Sequence, residues 1–241
     1  MRIATWNVNS VKARQERLLA LLARHRPDVV CLQELKTEAA GFPAAALREA
    51  GYHAAVLGQK TYNGVAILAR EEPRDVETGF GDGGDESQAR LVAATVGGLR
   101  IASAYIPNGK EVGSEKWPYK LAWLARLAAW VRRRSDGPPL VLGGDFNIAP
   151  DERDVANPAA WAGSVLCHPE VRAAWGALLE AGLVDAFRLH HAEGGHYSWW
   201  DYRMLGFPKN DGLRIDHVLL AAPLAPRCTG AFVDREERKG K

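Results

Sequence analysis

Cysteine is scarce in this 241-residue chain, and the three present, Cys31, Cys167 and Cys228, are scattered. An odd, dispersed set builds no disulfide frame. Cys31 and Cys167 sit beside apolar residues, so a reducing, cytoplasmic compartment is expected. Long apolar runs are missing too. No stretch approaches the ~18 residues that a membrane span needs, so no membrane partner is expected. The opening, Met1-Arg2-Ile3-Ala4-Thr5-Trp6, has no signal-peptide profile and reads as a first strand. Neither sign of charge dominates: 31 Lys and Arg against 29 Asp and Glu leave a net +2, which permits a nucleic-acid partner without announcing one. Internal repeats, low-complexity tracts and linkers are also lacking. A single domain over residues 1–241 is therefore expected.

What is present is a regular alternation of strand and helix signals. Residues 1–6 read as a strand and 7–10 as a turn. Ser10 is placed to cap a helix over 11–25, with Val11, Leu18, Leu21, Leu22 and His25 on one face, and Pro27 ends it. Residues 28–33 form a second apolar strand with Glu34 at its far end. A short helix over 42–50 closes at Gly51. Strands are predicted over 54–57, 65–69 and 91–96, with a loop at 81–85. Gly97-Gly98 signals a hairpin into 99–106, broken by Pro107-Asn108-Gly109. Trp117, Leu121, Leu124, Ala128 and Val131 recur at helical spacing, which predicts a long helix over 115–134. Its Trp117, Trp123 and Trp130 read as core. Arg132-Arg133-Arg134 falls in its last turn, where dipole compensation or solvation explains it as well as DNA contact does. Beyond that helix, 151–161 is loop or short helix, 169–181 helix, 184–187 a following segment, 197–202 an aromatic strand, 206–212 a loop and 213–221 a strand. The pattern predicts an α/β fold of two packed sheets covered by helices.

The chain is organised around residues 140–150. Pro139 and the apolar Leu140-Val141-Leu142 make a short buried strand, and Gly143-Gly144 brings the backbone close to something. Asp145 and Asn147 follow, with Phe146 between them. On an extended chain they share one face while Phe146 packs on the other. A carboxylate and an amide at a strand end suit the holding of a water and a phosphate oxygen. A plain strand-to-loop turn also favours Gly, Asp and Asn, so both readings stay open here. Other strands end similarly: Trp6 leads to Asn7, Gln33 to Glu34, and Tyr105 and Asn108 flank Pro107. Singly, these read as a turn former, a solvated loop start and an ordinary strand aromatic. Asp216 is different. It lies inside the apolar run Ile215 to Leu220, where a carboxylate needs a cation, a metal or donors.

As a set, these residues make chemical sense. Glu34 with an amide such as Asn7 offers oxygen ligands to a hard cation, most simply Mg²⁺. Asp145 can take a proton from water, with Asn147 fixing its geometry. Tyr105 can set a hydroxyl against a phosphoryl oxygen where charge grows. These are the parts of phosphodiester hydrolysis. His190, His191 and His196 have no Cys or carboxylate partner at ligand spacing in this reading and are taken as surface or packing residues.

The stretches Thr5–Asn9, Leu32–Glu34, Ala104–Gly109, Gly144–Pro150, Ser198–Arg203 and Gly212–Asp216 run in order along the chain. With them the chain resembles the exonuclease III family of DNA-repair enzymes, within the endonuclease/exonuclease/phosphatase superfamily. The resemblance implies a four-layer α/β sandwich, two packed mixed sheets flanked by helices. It places Asn7 and Glu34 at the metal site, with Mg²⁺, or Mn²⁺ as the alternative. It makes Tyr105 the phosphate-contacting tyrosine, Asp145 and Asn147 the catalytic pair, and Asp216 a further catalytic position. Trp199 matches the aromatic residue that packs on a flipped-out abasic sugar, which extrudes cheaply because it has no base to unpair. Arg90, Asn108 and Arg203 match DNA-contacting positions. The implied activity is Mg²⁺-dependent incision of double-stranded DNA 5′ to abasic sites and trimming or unblocking of 3′ ends. The implied setting is a cytoplasmic, bacterial-type monomer associated with the nucleoid through DNA.

Two departures stand out. Leu35 replaces the usual Thr after Gln33-Glu34, while Lys36 is retained. The family's Ser-Asp-His-Ala-Pro motif and last strand do not appear before Lys241. That histidine pairs with the residue matching Asp216. His217 is no substitute, because neighbouring strand residues face opposite ways. The expectation is a shortened version of an active enzyme, impaired as it stands, since the other motifs are intact. Two other functions remain: a same-fold phosphodiesterase on RNA, lipid or inositol phosphate, and a non-catalytic binder of abasic DNA.

Overall fold

The structure is a computed structural model that describes residues 1–202 and 205–239. Its contacts gather in two compact units, Met1–Tyr105 with Asp136–Asp145, and Ile106–Ser135 with the residues from Phe146 onward.

The first unit holds two mixed sheets. In one, β1 (Ile3–Asn7) runs parallel to β2 (Val29–Gln33), with β4 (Val65–Ala69) and β3 (His53–Leu57) continuing antiparallel in the order β1-β2-β4-β3. In the other, β5 (Arg74–Thr78), β6 (Leu91–Val96), β7 (Leu99–Tyr105) and β8 (Leu140–Asp145) lie in that order, and only β7 and β8 pair in parallel. Period-two alternation assigns the faces of β1 and β2. Trp6, Val30 and Leu32 pack with Leu18, Leu21 and Leu22 of α1 (Gln15–His25) and Leu47 of α2 (Ala44–Glu49). Thr5, Cys31 and Gln33 face the other sheet, where a Cβ on Gly143 would lie 3.1 Å from the Cys31 sulfur. The two glycines before Asp145 thus serve packing. A Cβ on Gly144 would sit 2.1 Å from the Ala104 carbonyl oxygen of the neighbouring strand.

Two differences from the sequence reading have physical causes. The first helix begins at Gln15, four residues late, and Ser10 does not cap it in the usual way. Ser10 stands at φ 89°, and the N–H groups of Ser10 and Val11 donate to the carbonyls of Glu34 and Leu35 at 2.7 and 3.1 Å. The turn is committed to the loop after β2 and cannot start a helix. The sequence also gave no sign of β5. All five of its residues are exposed, and it pairs with β6 through a register shift between Arg74 and Glu77. It is a charged, irregular edge strand with no apolar alternation to detect.

The second unit comprises α3 (Lys116–Arg132), α4 (Pro158–Trp161), α5 (Pro169–Glu180), β9 (Leu183–Asp185), β10 (Trp199–Trp200), α6 (Gly206–Lys209), β11 (Gly212–Leu213) and β12 (Asp216–Ala221). α3 packs on α5 and buries Trp117, Trp123 and Trp130, as the spacing predicts. Burial of each ring contributes on the order of 2–3 kcal/mol. Phe146 is fully buried and meets Trp175 and His217 edge-on. β9 pairs antiparallel with β12, and β10 with β11. The predicted loop at 206–212 contains α6, and the predicted strand at 213–221 is split. Arg214 leaves the ladder because its N–H and side chain both turn to Asp154. No helix among the described residues is long and apolar enough to cross a membrane.

Candidate active site

In the first unit, four of the predicted residues meet at strand ends. The parallel register sets Asn7 beside Gln33 and Tyr105 beside Asp145, so the C-terminal ends of both pairs are level. Asn7 Nδ2 donates to Glu34 Oε1 at 2.7 Å and to Asp145 Oδ2 at 2.8 Å. The Tyr105 hydroxyl donates to the same Glu34 Oε1 at 3.0 Å. Lys36 Nζ pairs with Glu34 Oε2 at 3.1 Å and also bonds Asn9. Glu34 takes φ 54°, a left-handed backbone that costs a non-glycine residue roughly 1–2 kcal/mol and turns the carboxylate out of the strand direction.

The electrostatics follow from this crowding. Burial first, then the charges of Glu34 and Asp145, push the Tyr105 phenol far above its ordinary value, against a smaller opposing pull from Arg90. Tyr105 is therefore a neutral hydroxyl donor at any working pH. Arg90, expected at DNA, lies over the Tyr105 ring at 4.9 Å and donates to the Tyr105 carbonyl at 3.0 Å, so in this structure it holds the tyrosine.

A buried polar layer supports the cluster. Gln33 Nε2 donates to Thr5 Oγ1 and Ser103 Oγ, both at 3.1 Å, and Ser103 Oγ donates to the Leu32 carbonyl at 3.0 Å. Gln33 thereby ties β1, β2 and β7 together one residue before Glu34. Ser103 was not singled out by sequence reasoning, and a small hydroxyl in an apolar strand gives little signal.

The second unit holds the other predicted residues. Asn147 leaves the extended conformation at φ 51°, so the shared-face argument does not apply to it. Its Oδ1 accepts from Asn108 Nδ2 at 2.9 Å, and its Nδ2 donates to the Ile106 carbonyl at 3.0 Å. Lys120 was missed. It is fully buried on α3 and donates to the carbonyls of Asn108, Asn147 and Val165 at 3.2, 2.7 and 2.6 Å. Its signal was phase: it falls between Trp117 and Leu124 on the buried face of the helix.

Asp216 opens β12 and is met by the Arg238 guanidinium at 3.3 Å and by the Ser198 hydroxyl through its own N–H at 3.0 Å. The carboxylate has found a cation, as its setting required. Trp199 is partly exposed and meets Trp161 edge-on at 5.8 Å. Arg203 lies outside the described residues. His217 faces away from this chemistry. Arg214, a donor only, reaches His217 Nδ1 at 3.0 Å, so Nε2 carries the proton and donates to the Ile148 carbonyl at 2.9 Å. Burial first, then Arg214, pulls this imidazole down to about 4. Arg214 also bonds Asp154 at 2.7 Å and Asp185 at 2.8 Å.

One sequence expectation needs correction. His191 and His196 do have a carboxylate partner, and His190 a cysteine: Glu193 Oε1 lies 3.1 Å from His191 Nδ1 and 3.2 Å from His196 Nε2, and His190 Nε2 lies 3.4 Å from Cys228 Sγ. The three lie two and three residues apart on either side of Gly194-Gly195, in a stretch that forms neither helix nor strand, so no element period brings them together.

The Asn7 amide N–H group bridges Glu34 and Asp145, and two carboxylates gathered this closely suit a hard cation better than a soft one. With a neutral phenol beside them, such a cluster can polarise an oxyanion ester and accept a proton from water. The class this defines is a two-sheet α/β hydrolase acting on phosphoesters. Residues 4–238 match the endonuclease/exonuclease/phosphatase family. The chain is 35% identical to exodeoxyribonuclease III of Haemophilus influenzae over 95% of this chain and 90% of that protein. Among solved structures, the 3′-5′ exonuclease NExo of Neisseria meningitidis superposes with a TM-score of 0.97 at 43% identity, covering 100% of this chain and 94% of that one. An AP endonuclease from Archaeoglobus fulgidus superposes at 0.95 with 37% identity and the same coverage. The chain belongs to the endonuclease/exonuclease/phosphatase family and, within it, to the exonuclease III type of nuclease.

Proposed function

We propose that this chain is a Mg²⁺-dependent DNA-repair phosphodiesterase that incises duplex DNA 5′ to abasic sites and removes nucleotides or blocking groups from 3′ ends. The observation that carries the reading is the convergence of Asn7, Glu34, Tyr105 and Asp145 at level strand ends. The names of the relatives, an exodeoxyribonuclease III and an AP endonuclease, supply the substrate class. A second Neisseria NExo structure, 44% identical, is described as a 3′ phosphatase bound to product DNA hairpin.

In this reading Glu34 and Asn7 hold the cation. A Mg²⁺ bound there would supply Lewis-acid polarisation of the phosphoryl group and charge stabilisation for the leaving oxygen. Asp145 accepts the proton of the attacking water. Tyr105, kept neutral by its surroundings, donates to a phosphoryl oxygen, and Lys36 limits the negative charge on Glu34. Asn147 and Asp216 are assigned the polar catalytic roles of their family positions, and Trp199 the face of an extruded abasic sugar. Asn108, Arg90 and Arg203 are assigned to the DNA strand.

The test is incision of a duplex carrying one abasic analogue, with Mg²⁺ and with chelator. It is run on this chain and on the same chain continued through a Ser-Asp-His-Ala-Pro segment. Mg²⁺-dependent incision by either protein, lost in Asp145→Asn, supports the proposal. Inactivity of both, or faster turnover of an inositol phosphate than of the duplex, overturns it.

A further inference from the structure

The loop after the partly buried Arg188 gathers three metal-ligating side chains that the phosphodiesterase reading does not use. We propose that His191, Glu193 and His196 form a binding site for a borderline divalent transition cation, zinc first, using none of the residues assigned to Mg²⁺.

Three observations carry this. The candidate ligand atoms of the three side chains all lie within 4.8 Å of one another. One Glu193 oxygen is 3.1 Å from His191 Nδ1 and 3.2 Å from His196 Nε2, close to the roughly 3.3 Å edge of a tetrahedron whose metal–ligand bonds are about 2.0 Å. The tautomer of His191 is set from behind. Its Nε2 meets the Ala231 carbonyl at 2.7 Å, and a carbonyl only accepts, so Nε2 carries the hydrogen. In the neutral ring Nδ1 is then a bare lone pair aimed at a carboxylate oxygen. Two acceptors at that distance need a positive charge between them, either a second ring proton or a cation. A backbone carbonyl behind a ligating imidazole is the common outer partner of a metal-bound histidine.

The loop is also held in shape without a metal. Arg188 Nη1 donates to the carbonyls of His191 and Glu193 at 3.1 and 2.7 Å, while its Nη2 is anchored on Asp154. Phe187 stacks on the His191 ring at 4.3 Å and meets His196 edge-on at 5.3 Å. The ligands are thus partly preorganised, and the cost of ordering them on binding falls. Two imidazoles and one carboxylate suit zinc and its neighbours in the transition series, where Mg²⁺ prefers oxygen alone. His196 and Glu193 keep 40% and 61% of their side-chain surface, so a cation enters from solvent and retains a coordination position for water. Occupancy would fasten the loop that leads into Ser198 and Trp199.

The experiment is a titration of the tag-free protein with Co²⁺, read by visible absorption, followed by displacement with Zn²⁺. One equivalent is expected to give the intense band of four-coordinate Co²⁺, abolished by Zn²⁺. The band should be lost in His196→Ala and in Glu193→Gln, and kept in Glu34→Gln. Both loop variants change solvent-exposed side chains, and their metal-free melting curves are expected to overlay that of the parent. Zn²⁺ affinity should fall at least tenfold in His196→Ala by calorimetry. Absence of the band, its survival in both loop variants, or its loss in Glu34→Gln would overturn the assignment.

Discussion

Tyr105 shows how a single residue is tuned by its neighbours. Its hydroxyl donates to Glu34 Oε1, and burial with two nearby carboxylates keeps it protonated. Tyr105→Phe is expected to lower single-turnover incision of an abasic duplex roughly 10²-fold, the usual loss for one donor to developing oxyanion charge. Its urea stability should change by about 1 kcal/mol or less, the worth of one hydrogen bond. A rise in KM with kcat intact would instead make it a binding residue. Lys120 carries the opposite weighting. Its ammonium satisfies three carbonyls, two of which belong to Asn108 and Asn147. Lys120→Met leaves those oxygens without that donor and is expected to destabilise the protein by about 3 kcal/mol. Urea unfolding checks this, and a change under about 0.5 kcal/mol would contradict it. Residues such as Glu34 and Asp145 were legible because a charged side chain closing an apolar strand is conspicuous. Lys120 was not, since a lysine on a helix ordinarily marks the solvated side.

At the scale of elements, β8 carries a contrast between two adjacent glycines. A Cβ at Gly144 would lie 2.1 Å from the Ala104 carbonyl oxygen, a backbone atom of the paired strand that cannot step aside. A Cβ at Gly143 would meet the Cys31 sulfur at 3.1 Å and Thr5 Cβ at 3.5 Å, side-chain atoms that can yield by a few tenths of an ångström. Gly144→Ala is therefore expected to destabilise by about 3 kcal/mol or more, and Gly143→Ala by roughly 1–2 kcal/mol, in the range of overpacking. Equal losses on thermal unfolding would refute the asymmetry. The same scale explains what the sequence revealed of the fold. β2 and β4 are buried along their length and β6 at every residue but Thr95, and they announce themselves as apolar runs between turn signals. β5 is an exposed edge held by backbone pairing and by Arg100, which reaches Glu77 at 3.0 Å and the Asp75 carbonyl at 2.6 Å, and Arg214 leaves its strand for an ion network. Neither cause writes a period into the sequence. The helix starting at Gln15 was misplaced because Ser10 is a good cap in isolation but is engaged by the loop after β2.

Over the whole molecule, the pH dependence of stability should be dominated by groups that sequence reading could not single out. His217 is buried between Phe146, Trp175 and Arg214, and its pKa stands near about 4 against an ordinary 6.5. An unfolded chain therefore takes up this proton between pH 6.5 and about 4 while the folded chain does not. More protons on the unfolded state mean that stability falls as the pH is lowered through that window, by roughly 3 kcal/mol in all for a shift of this size. Below it the contribution is flat, because both states are protonated. Asp185 acts in a lower window. Burial alone would raise its carboxyl, but Arg214 and His217 outweigh that and hold it below the ordinary value. Its stabilisation is intact above the unfolded carboxylate pKa of about 3.9 and disappears as pH falls through the depressed folded value. Both groups make acid destabilising, in two successive steps. His217→Gln keeps a donor and an acceptor at the same place but does not titrate. Its urea midpoint, measured at pH steps from 7 down to 4, is expected to flatten across the upper window (about one proton fewer taken up on unfolding) while the acid loss below it remains. A variant with the parent's slope in the upper window would show that the imidazole shares its proton equally between the two states and that Arg214 is balanced by Asp154 and Asp185 alone.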